Sequence, residues 1–176
     1  MSEIQSLLLL KKVDKEFGIG TIDRVKALDN INLSINEHDS ITVIGSNGAG
    51  KTTLLNIIAG VYPPERGGNI IINNMDITNL VEHKRSQYFG RVYQDPHIGT
   101  AAKMTIGENL SLAIARGRSR GLRVATTKKR LTYFQEILAT LQLGLEDRLN
   151  TLVGTLSGGQ RQALALVMAT ISRPAL

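Results

Sequence analysis

Cysteine is absent from the 176 residues, which excludes disulfides and thiolate-bound metals. Its absence is compatible with a reducing compartment. Long apolar runs are missing as well. The longest near the N-terminus is Leu7 to Leu10, and Lys11 and Lys12 follow at once. That is too short for a signal-peptide core, and no other stretch nears the roughly 18 apolar residues that a membrane span requires. The chain is not expected to cross a membrane by itself. Aromatic residues make up only 4%, so ring-based recognition has few sites. The histidines His38, His83 and His97 stand singly, with no spacing that suits a metal. Asp95 and Asp147 are isolated carboxylates and read as surface or turn residues.

What remains is an ordinary globular balance, 42% hydrophobic and 20% charged, with the length of one domain. Net charge is +6 and the pI near 9.8. Such a balance favours an anionic partner without naming it. The densest basic run spans 116–130, with Arg116, Arg118, Arg120, Arg123, Lys128, Lys129 and Arg130. It holds no acid and no aromatic ring, so the stacking platform of single-strand nucleic-acid binders is missing. A solvated connection is the default reading; contact with anionic lipid or an acidic partner loop is the alternative.

Strands are expected at Leu7–Val13, at the alternating Leu28–Ile35, at the β-branched Ser40–Ile44, at Asn69–Ile72 and at Arg91–Tyr93. Lys15 to Val25 reads as turn-rich. Helices are expected from the glycine-rich segment to Gly60, over Glu82–Phe89, over Thr105–Ala115, along the face of Leu131, Phe134, Leu138 and Leu141, and from Ser157 to near Pro174. "YPPERGG" must turn, because Pro63 and Pro64 cannot continue a helix. Strands alternating with helices indicate an α/β fold with a largely parallel central sheet.

"GSNGAGKT" fits G-x-x-x-x-G-K-[ST], with Gly45, Gly50, Lys51 and Thr52 at the fixed places. A triphosphate crowds charge into a small volume, and backbone N–H groups must approach it closely. Gly45, Gly48 and Gly50 leave room where a Cβ would intrude, while Ser46, Asn47 and Ala49 complete the loop. The helix beginning near Gly50, through Thr53, points its positive end at the same oxygens. Lys51 brings a full charge to the β- and γ-phosphates. Thr52 offers a hydroxyl to Mg²⁺. A second candidate anion site lies at Ser157, Gly158, Gly159 and Gln160, where Ser157 is a good N-cap and the glycines leave amides bare.

Together these motifs resemble the ATP-binding-cassette (ABC) ATPases over the whole chain. "LSGGQ" at Leu156 to Gln160 is similar to their signature, and "VYQDP" at Val92 to Pro96 to their Q-loop, centred on Gln94. The resemblance implies a P-loop fold with a mainly parallel core sheet, an N-terminal antiparallel β subdomain and a helical subdomain. It places the β subdomain and P-loop core in 1–94, the Q-loop, helical subdomain and signature in 95–160, and a helix returning to the core in 161–176. It implies ATP and Mg²⁺ as cofactors, with Lys51 and Gln94 catalytic, and Thr52 and Gln94 reaching the metal. Phe17 matches an adenine-stacking position, though a core ring is the competing reading; Gln94 by itself could be a surface turn residue. Each signature would close on the ATP of a second subunit in a head-to-tail dimer.

Further implications concern partners. The interval from Lys51 to Ser157 holds no heptad run, unlike chromosome-type members. A transporter ATPase is the leading expectation, peripheral on the cytoplasmic side of the membrane and driving separate permease subunits. A substrate-binding protein would be an indirect partner, and nucleic acid would not be one. "IGSNGAGKTTLLNIIAG", "RVYQDP" with "GTAAKMTIGENL", and "GLEDRLNTLVGTLSGGQRQAL" most resemble importer ATPases for tryptophan, tyrosine or related solutes. The alternative is a non-transport ABC ATPase acting on ribosomes or nucleic acid. Residues 95–105 would face the permease. In the family an apolar strand ending in two acids follows a segment like "SRPAL", with a histidine beyond; none of the three is in this sequence. These 176 residues are accordingly expected to bind nucleotide weakly and not to hydrolyse it, with a sheet edge or gap beside Ser40–Ile44.

Overall fold

Leu8, Leu10 and Val13 are all buried on strand β1 (Leu8–Phe17). The step from Leu10 to Val13 breaks strict alternation. A register shift lies between them, and Lys12 there has φ of 48°. The extra residue returns Val13 to the inner face. Strand β2 (Val25–Ile35) pairs antiparallel with β1, Leu8 opposite Ile35 and Phe17 opposite Val25. Both strands run further toward their turn than the sequence suggests, leaving residues 18–24 as the connection. Strand β3 (Asn69–Ile72) pairs on the other side of β1 and forms a hairpin with β4 (Met75–Asp76). Asn73 and Asn74 both have positive φ, as a two-residue hairpin turn of this hand requires. The sheet order is β2-β1-β3-β4, antiparallel throughout.

The computed structural model describes residues 6–117 and 126–176. Most of the basic segment singled out above, 118–125, lies outside them. The chain divides into two compact units, Met1–Arg85 and Ser86–Leu176. In the first, helix α1 (Lys51–Ala59) starts at Gly50 and ends on Gly60, whose φ of 86° makes it a left-handed cap. The expected helix over Glu82–Phe89 is shorter, α2 (Glu82–Arg85). Its last residue, Arg85, is buried and donates to the carbonyls of Leu80, Ile57, Ile58 and Thr78 at 2.6–3.0 Å. Two of those carbonyls belong to the last turn of α1, where the regular helical donors run out and Ile57 O has otherwise the cap amide of Gly60.

The second unit is helical. Helix α3 (Ile106–Ile114) opens with a capping box between Thr105 and Glu108. The Thr105 amide and hydroxyl hold the Glu108 carboxyl below the usual carboxylate range. Helix α4 (Lys128–Ala139) buries Phe134 and Leu138, with Leu131 and Leu141 packed alongside, as the helical spacing predicts. Helix α5 (Gly158–Thr170) contributes Leu164, Val167 and Met168 to the same cluster. Residues 102–107 hydrogen-bond back to 149–154, through Ile106 N to Thr151 O, Val153 N to Met104 O and Gly154 N to Ala102 O.

Two expected strands differ from the sequence reading. Ser40–Ile44 joins no ladder among the described residues, and Ile41, Val43 and Ile44 are exposed. A β-branched run supplies strand propensity, but a strand forms only where a neighbour accepts its backbone bonds. Arg91–Tyr93 is likewise outside any ladder. Just before it, Leu176 N donates to Tyr88 O and Gly90 N donates to Leu176 O. One residue bonded to both neighbours of Phe89 is the slanted pattern of parallel pairing.

Candidate functional site

The P-loop forms between Ile44 and α1. Gly48 and Gly50 both have φ near +83°, a region costly for any residue with a Cβ. Gly50 is doubly constrained, since a Cβ there would lie 2.3 Å from Ala27 O on β2. A side chain at Gly48 would meet nothing within 4 Å, so that face of the loop is open to a ligand. The Lys51 ammonium curls over the loop and donates to Gly45 O and Ser46 O, each at 2.7 Å. Ser46, Asn47, Gly48, Ala49 and Thr52 are exposed, and Thr53 is half-buried. The first turn of α1 carries no acidic residue, so its positive end is uncompensated. A glycine loop open at Gly48, a lysine at its rim and an exposed threonine fit a nucleotide polyphosphate with Mg²⁺. Among the described residues no cluster of three His, Cys, Asp or Glu could hold a metal alone.

Phe17 is 37% exposed and meets Tyr62 edge-on, with ring centroids 5.4 Å apart. Lys15 Nζ stands 5.6 Å from the Phe17 ring centre. Phe17 is thus neither a core ring nor a bare one. Tyr62 was not singled out by sequence; a tyrosine just before Pro63-Pro64 is the signal that marks it.

In the second unit, Ser157 caps α5 reciprocally. Its Oγ accepts from Gln160 N at 3.2 Å, and Gln160 Oε1 accepts from Ser157 N at 3.3 Å. Gln160 Nε2 also donates to Leu143 O. A hydroxyl that accepts one bond still has its own proton to donate. Cβ atoms at Gly158 or Gly159 would meet nothing within 4 Å, so the surface beside these glycines is open. A capped helix start of this kind has the geometry that an anion site requires. Gln94 is exposed, and the turn after it is fixed by Asp95 Oδ1 accepting from His97 N at 2.8 Å. Arg161, which the sequence reading passed over, is buried one turn into α5. It donates to Val153 O and Gly154 O and contacts the His97 ring. A cation placed where the helix dipole disfavours it is the one sequence signal that points to it.

The ABC transporter family profile matches residues 28–176. The tyrosine transport ATP-binding protein of Clostridioides difficile is 39% identical over 168 residues, covering 96% of this chain and 66% of its own length. The xylose/arabinose import ATP-binding protein of Sulfolobus acidocaldarius is 34% identical, covering 94% of this chain and 62% of its own length. The chain therefore spans somewhat less than two thirds of these relatives. Among solved structures, a dimeric post-hydrolysis state of the ATP-binding cassette MJ0796, bound to ADP and Pi, superposes with a TM-score of 0.77. Its identity is 30%, covering 95% of this chain and 70% of that one.

Proposed function

We propose, from the premise that this chain belongs to the ABC transporter family, that it supplies the nucleotide-binding part of an ATPase subunit driving separate membrane permeases. The observation that carries this is the P-loop, with Lys51 held across Gly45 O and Ser46 O. ATP would lie with its phosphates on the amides of 45–53 and its adenine against Phe17 and Tyr62. Bound Mg²⁺ would offset phosphate charge, with Thr52 and Gln94 as its protein ligands. Lys51 would stabilise charge on the γ-phosphate, and the Gln94 amide would orient the attacking water. Ser157, Gly158, Gly159 and Gln160 would close on the ATP of a second subunit packed head to tail. The dimeric state of the MJ0796 cassette supports pairing of two cassettes.

The subunit would sit peripherally on the cytoplasmic side of the membrane; no described helix is long and apolar enough to cross it. Amino-acid or related uptake is the finer reading, supported by the tyrosine transport relative. No residue singled out in this chain reads the solute. Co-purification tests the assignment. The protein extracted in mild detergent should bring down a membrane permease. Recovery with RNA or DNA instead, released by salt, would favour the non-transport alternative and overturn this one.

A further inference from the structure

Arg161 is 5% exposed, yet it has no ion pair among the described residues. Its guanidinium is satisfied by neutral groups from two other segments. Nη2 donates to Val153 O at 3.2 Å and Gly154 O at 3.0 Å, in the turn before the signature. Nη1 meets the His97 ring, 2.9 Å from Nε2 and also in contact with Nδ1. A guanidinium only donates, so the ring nitrogen it meets must present a lone pair. Nε has no partner. His97 in turn lies three residues after Gln94, in the turn that Asp95 pins by accepting from His97 N. The backbone amide of Arg161 donates to Ser157 O at 2.9 Å, inside the same turn as the signature cap.

One planar, rigid fork thus spans the segment after Gln94, the turn before the signature and the first turn of α5. Of its three attachments, two are carbonyls of a turn already tied by backbone bonds from Gly154 N to Ala102 O and Val153 N to Met104 O. The third, His97, is an exposed side chain on a loop outside any ladder, and it is the attachment free to change. We propose that Arg161 is a positioning residue that ties the signature motif to the Gln94–His97 segment, so that displacement of His97 loosens the first turn of α5. This deepens the nucleotide-binding reading above and rests on it for its consequence, since Gln94 is the residue assigned there to Mg²⁺ and the attacking water.

The test uses amide hydrogen exchange of the chain with and without substitutions at His97, whose exposed side chain can be changed without opening the core. His97→Ala should speed exchange at Gln160 and Arg161 by about tenfold, the scale of one modest hydrogen bond. Exchange at Leu110 of α3 and Leu138 of α4 should stay the same. His97→Gln, whose amide oxygen can accept from the guanidinium, should restore most of the protection. Exchange at Gln160 and Arg161 unchanged in His97→Ala would overturn the proposal. So would a rise of equal size throughout the unit, which would mark His97 as general packing. A companion titration with Mg-ATP separates this from the parent reading. If the wild-type chain fails to bind nucleotide, the assignment of function falls, while the exchange data still decide the coupling.

Discussion

Lys51→Ala should lower Mg-ATP affinity by roughly 100-fold or more, the loss expected when a charge-assisted bond to phosphate disappears. Its ammonium bridges two loop carbonyls at 2.7 Å. That position places it at the mouth of the cradle, beside the open face at Gly48. Alanine continues the helix without penalty, so the fold should be unaffected. Isothermal titration with Mg-ATP, with circular dichroism as the control, reads the effect. An affinity within threefold of wild type would remove Lys51 from the phosphate site.

Arg85→Met should destabilise the first unit by roughly 3–5 kcal/mol, because it strips hydrogen-bond donors from buried carbonyls. Methionine fills a similar volume but donates nothing. The carbonyls of Leu80, Ile57, Ile58 and Thr78 would all lose this partner, while Ile57 O keeps a second donor, Gly60 N at 3.1 Å. Burial pushes the guanidinium pKa down, with Asp76 opposing, so the charge is already held at a cost that its bonds offset. A loss of this size is a large share of the roughly 5–15 kcal/mol that holds a domain together. Urea unfolding followed by far-UV circular dichroism checks it. A midpoint shift worth less than about 1 kcal/mol would show that solvent or repacking satisfies those carbonyls.

Some of this architecture was plain in the sequence, and the reason differs from element to element. The glycine loop before α1 was legible because its geometry is local: Gly48, Gly50 and Lys51 lie within one loop and one helix turn. Ser157 was legible as a cap for the same reason. The apolar face of Leu131, Phe134, Leu138 and Leu141 follows from helical period alone. Arg85 and Arg161 were not legible, because the carbonyls they satisfy come from folded neighbours, some of them distant in the chain. Arg85 reaches Ile57, and Arg161 reaches His97. Ser40–Ile44 misled for the opposite reason. Its residues favour a strand, but propensity does not create the partner that a ladder needs. The bulge at Lys12 was hidden too, since a lysine at positive φ leaves no mark in composition.

The central claim is that Lys51 of one chain and Ser157 of another serve the same nucleotide. Mixing two variants that each carry one defect tests it most directly. Lys51→Ala removes the phosphate lysine, and Ser157→Arg blocks the second anion site while leaving the first intact. In a head-to-tail pair of these two variants, one composite site keeps both wild-type residues and the other has neither. Sedimentation in Mg-ATP should show each variant monomeric when alone and a pair forming on mixing, with Ser157→Arg still binding ATP as a monomer. No association on mixing, where the wild-type chain does associate, or loss of ATP binding by Ser157→Arg alone, would contradict the account and assign the signature to its own chain's nucleotide.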